Sequence, residues 1–64
     1  MVQKTVQITV ELTTFQAEAL AQFVKRIGWS EIRQNATGDD EADKMRDGLG
    51  VLQKALQEVG YAPR

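Results

Sequence analysis

Cysteine and histidine are both absent from the 64 residues. Without thiols, neither a disulfide nor a zinc–thiolate site can form. Without imidazole, the commonest metal ligand and the commonest general base are missing. A nucleophile would have to be Ser30 or a threonine, activated by a lysine or a carboxylate. No glycine-rich phosphate loop is present, and so small a domain has little room for a water-excluding pocket. The composition therefore argues against an enzyme and implies no cofactor. Long apolar runs are missing too: none approaches the roughly 18–20 residues of a membrane span. The first residues lack the basic-then-apolar pattern of a signal peptide. The expected compartment is the cytosol, with no membrane partner.

Charge of either sign is not in excess. Eight basic and nine acidic side chains give a net charge of −1. Nucleic-acid binders are usually basic, so this balance counts mildly against that class. The acid is clustered at Asp39, Asp40, Glu41, Asp43 and Asp47. That stretch lacks the alternating ligands and the closing glutamate of a calcium loop, so it is read as helix N-terminal charge and a solvated face. A single domain spanning residues 1–64 is expected, with residues 61–64 as a short tail. A chain this short buries only about 60% of its unfolded surface. Small domains of this kind usually add a disulfide, a metal or oligomerisation; the last remains the natural staple here.

The pattern of what is present is clear. Val2, Val6, Ile8, Val10 and Leu12 alternate with Gln3, Thr5, Gln7, Thr9 and Glu11. Period-two alternation with β-branched residues predicts a strand over residues 2–12. Thr13 with Gln16 three residues later predicts a capping box. A first helix follows from about Thr14 to Ile27, with Phe15, Ala19, Leu20, Phe23, Val24 and Ile27 as one apolar stripe. Lys25 and Arg26 complement the dipole of its last turn, and Gly28 is expected as a left-handed C-terminal cap. Ser30 is expected to cap a short second helix, Glu31 to Ala36, with Ile32 and Ala36 inward. Asp39 is expected to cap a third helix whose stripe is Ala42, Met45, Leu49, Leu52, Leu56 and Val59. Gly60 ends it. Gly48 and Gly50 inside it predict a kink, a close helix contact or a hinge. Trp29 is expected to close the gap between the first and third helices as a core residue; the alternative is an exposed interface anchor.

The expected fold class is thus α+β, one N-terminal strand followed by two or three helices. A lone strand leaves its backbone groups without partners. Pairing with the same strand of a second copy is the economical solution, so a strand-paired homodimer is expected.

That order, with the alternating row and the stretch from Ser30 to Arg33, resembles the ribbon-helix-helix proteins, which are dimeric transcription factors. The resemblance implies a ribbon placed in the major groove. Gln3, Thr5, Gln7 and Thr9 would then face bases, which glutamine and threonine can read. Lys4 would reach a phosphate, and Ser30 and Arg33 would lie where that family holds one. The net charge, Glu11 on the same face and the break at Thr37 and Gly38 depart from the family pattern. The stretch from Leu20 to Ser30 and the ending from Gly60 to Arg64 resemble a family of short bacterial proteins often associated with mobile elements. That resemblance implies an accessory role in a phage, plasmid or similar element. Two partners therefore stand open, DNA or a host or phage protein. The second would be met through Trp29 or through Asp40, Glu41 and Asp43.

Overall fold

The computed structural model describes residues 4–61 and contains three helices: α1 Thr14–Arg26, α2 Trp29–Gln34 and α3 Asp39–Glu58. The fold is all-helical. No strand is present among the described residues, which overturns the α+β expectation. The physical reason lies in the pairing rule itself. A strand exists only where a second strand satisfies its N–H and C=O groups, and no other segment of the chain alternates. Residues 4–12 instead form an arm with no backbone hydrogen bonds among the described residues.

The start of α1 is as the sequence predicts. The Thr13 hydroxyl accepts from the Gln16 amide at 3.1 Å, and the Gln16 side chain accepts from the Thr13 amide at 3.0 Å. Two orphan donors are thereby satisfied at the junction of arm and helix. Thr13→Ala should lower stability by about 1 kcal/mol, read as a lower urea midpoint at constant slope.

Two other helix starts differ from expectation. Ile27 and Gly28 are both extended, and Gly28 has φ −99° rather than a left-handed angle. The Gly28 carbonyl accepts from Ile32 N–H at 3.2 Å. This starts α2 at Trp29, one residue before Ser30, and makes Gly28 the N-cap. Gly38, not Asp39, is the N-cap of α3. There Glu41 reaches back and accepts the Thr37 amide at 2.9 Å. Asp39, Asp40 and Glu41 do occupy the first turn of α3, where negative charge favours the dipole.

The end of α3 is a complete Schellman motif. Gly60 has φ +98°. Its amide donates to the Gln57 carbonyl at 3.0 Å, and the Tyr61 amide donates to the Leu56 carbonyl at 2.8 Å. The hydrophobic contact that accompanies this motif is also made: Tyr61 packs on a cluster of Ala17, Ala21 and Leu56.

Helix α3 is the spine. Both α1 and α2 pack on it. The core is thin: Ala17, Ala21, Val24, Ile32, Ala42 and Leu56 are the buried hydrophobic residues. Three of these six are alanines, so the interior contains little apolar volume. The radius of gyration is 12.9 Å, against about 11 Å for a compact domain of this length.

Of the apolar stripe expected on α1 only Val24 is buried; the other two inward residues, Ala17 and Ala21, lie outside it. Ala17, Ala21 and Val24 point inward, and the small alanines let α1 approach α3 closely. Phe15 is 83% exposed and Phe23 53%. On α3, Ala42 and Leu56 are buried, Met45, Leu49 and Leu52 are half-buried, and Val59 is exposed. The helix runs unbroken through Gly48 and Gly50. A Cβ at either position would meet nothing within 4 Å, so no helix of the chain itself approaches there.

Candidate binding surface

The largest apolar side chains of this protein are mostly on its outside. Along the arm, Val6, Ile8, Val10 and Leu12 are 81%, 75%, 66% and 38% exposed. Only Val10 and Leu12 meet the body, lining a cavity of about 290 Å³ with Leu52, Leu56, Val59 and Tyr61. A second cavity of about 510 Å³ opens where the three helices meet. Phe23 of α1, Ile27 just after that helix, Ile32 of α2, and Met45, Leu49 and Leu52 of α3 line it. Gly48 and Asn35 complete its wall. Neither cavity is lined by a charged side chain. Leu52 belongs to both, so the two form one uncharged band along α3.

Trp29 does not close the core. It is 42% exposed, and the Arg46 guanidinium lies over its ring at 5.1 Å from the centroid. At an exposed site such a cation–π contact contributes about 0.5–1 kcal/mol. The core reading of Trp29 is therefore corrected: its position at the first residue of α2 turns it to the edge of the α2–α3 contact.

Lys4, Thr5, Gln7 and Thr9 are all exposed, while Gln3 lies outside the described residues. Ser30 is exposed in the first turn of α2, well apart in sequence from the arm. Arg33 is engaged within the fold: its guanidinium pairs with Asp39 at 2.8 Å and donates to the Ala36 carbonyl at 3.3 Å. These contacts staple α2 to the start of α3.

The acidic cluster is used in a similar way. Asp43 pairs with Arg46 at 3.1 Å, and Glu41 holds the Thr37 amide. Asp40 is exposed, and among the described residues it does not pair with Lys44. No group of three or more potential metal ligands gathers among the described residues. No helix of the described residues is long and apolar enough to cross a membrane.

Phe15 and Phe23 are the candidate contact residues that the sequence pattern assigned to the core. The signal that separates them was present. Phe15, Ala19, Phe23 and Ile27 repeat every fourth residue, while Ala17, Ala21 and Val24 form a second set. An apolar arc that wide is more than one neighbouring helix can cover.

No curated protein and no solved structure matches the chain. The sequence pattern of one family covers residues 1–64. The chain belongs to that family, a family of unknown function (DUF7706).

Proposed function

We propose that this protein is a non-enzymatic binding protein that works by burying its apolar band against another polypeptide. The observation that carries the reading is the imbalance between inside and outside. Six side chains are buried among the described residues, three of them alanines, while Val6, Ile8, Val10, Phe15, Phe23 and Val59 are more than half exposed. Covering one such side chain contributes about 1.5–3 kcal/mol, so these residues hold more binding energy than most of the surface. Phe23 also lines an open groove with Ile27, Met45, Leu49 and Leu52, and contiguous exposed apolar surface of that kind marks interaction sites. The missing His and Cys support the non-catalytic part of the reading. The resemblance of the stretch from Leu20 to Ser30 supports an accessory role in a mobile element.

DNA reading through Lys4, Thr5, Gln7 and Thr9 ranks second. Its support is the exposure of that polar row. Against it stand the net charge of −1, the engagement of Arg33 by Asp39, and Glu11 at the end of the row.

The deciding experiment compares two variants of the tagged full chain, recovered from the cell that makes it. Phe23→Asp should abolish its protein complexes. The triple change Thr5→Ala, Gln7→Ala, Thr9→Ala should leave them intact. The opposite pattern, with nucleic acid recovered alongside the wild type, would overturn the protein-binding reading in favour of DNA.

A further inference from the structure

We infer that the polypeptide covering the band is a second copy of this chain, and that each copy's arm lies in the other's groove. The inference rests on the protein-binding reading and names the partner at that surface. Its basis is that one chain carries two complementary vacancies. The arm presents the apolar side chains of Val6 and Ile8 at 81% and 75% exposure. The groove around Phe23, Met45, Leu49 and Leu52 is uncharged and open. Gly48 removes side-chain bulk from its wall, so a backbone can lie close there.

A two-fold axis satisfies both vacancies at once, because residue i meets j and j meets i. The arm of a single chain does not do so: Val10 and Leu12 sit at the Val59 end of α3, while Val6 and Ile8 stand in solvent. The area agrees with this occupant. Val6, Ile8, Val10, Leu12, Phe15, Phe23 and Val59 average roughly two-thirds exposed. At about 60–120 Å² for each full side chain they offer roughly 300–600 Å² of apolar surface per copy. A standard interface needs about 800 Å² per partner, a little over half of it apolar. The surface available is of that size.

The absence of native cysteine makes the test clean. Purified Ile8→Cys and Asn35→Cys chains, the second altered at the exposed rim of the groove, are mixed and treated with a short bismaleimide. The expected result is a cross-linked pair in the mixture, in large excess over either variant alone. Ile8→Asp, introduced separately, should raise the dimer dissociation constant by about 100-fold or more, since it places an unpaired charge in the groove. Cross-linking of Ile8→Cys to itself in place of Asn35→Cys would overturn the arrangement, because the arms would then meet each other. A folded wild-type monomer that gains mass only with a different protein would overturn the second-copy assignment while sparing the protein-binding reading. A folded monomer that associates with nothing would overturn both.

Discussion

Leu56→Ala is expected to cost most of the protein's stability. Leu56 is 5% exposed, and it is the one large side chain in the cluster that joins α1 to α3. Its neighbours there are Ala17 and Ala21, which cannot expand into the space. Leu20, Leu52 and Tyr61 lie at the edge and are only partly buried. Leucine-to-alanine changes at buried positions cost about 2–5 kcal/mol. A folded chain of this length holds about 3–10 kcal/mol in all. The substitution also weakens the apolar contact of the Schellman motif, because Leu56 is the large member of the cluster that Tyr61 packs on. Far-UV circular dichroism under urea should show a midpoint at or near zero denaturant. A shift of only a few tenths of a kcal/mol would mean that the α1–α3 contact is not where the stability lies.

The paired change Gly48→Ala, Gly50→Ala is expected to act in the other direction. Each glycine costs a helix interior about 1 kcal/mol relative to alanine. A Cβ at either position meets nothing within 4 Å, so the isolated chain loses nothing in exchange. The pair should therefore stabilise the monomeric fold by roughly 2 kcal/mol. In the assembly the two positions should separate. Gly48 lines the groove and Gly50 does not, so Gly48→Ala alone should weaken self-association and Gly50→Ala should leave it unchanged. Denaturation measured at two protein concentrations distinguishes these effects, because a stability that depends on association varies with concentration. Equal effects of both glycines at both concentrations would remove the groove contact from the account.

The helices were legible in the sequence because their signals are local. The Thr13–Gln16 capping box, the basic last turn at Lys25 and Arg26, and Gly60 each act within one turn of backbone. The fold class was not legible from residues 2–12, because a strand is a property of a pair. Alternation reports that one side wants cover, not that a partner is present in the same chain. The same distinction explains α1. Phe15 and Phe23 read as core because they are apolar at helical spacing, yet in one chain the Ala17, Ala21, Val24 face is the one buried, and Phe15 and Phe23 stay more than half exposed. Trp29 failed for a different reason. The N-cap moved from Ser30 to Gly28, which placed the indole in the first turn of α2 beside Arg46. The candidate partner residues divided likewise. Arg33, Glu41 and Asp43 carry charge that the sequence could count, but their use within the fold depends on the approach of α2 to α3.

Solution mass by light scattering across micromolar concentrations of the wild-type chain shows directly whether a second copy covers the apolar band. A mass of twice the 7.2 kDa of one chain, falling toward one chain on dilution, is the predicted result. A chain that keeps its helical signal and stays at 7.2 kDa across the range would contradict it.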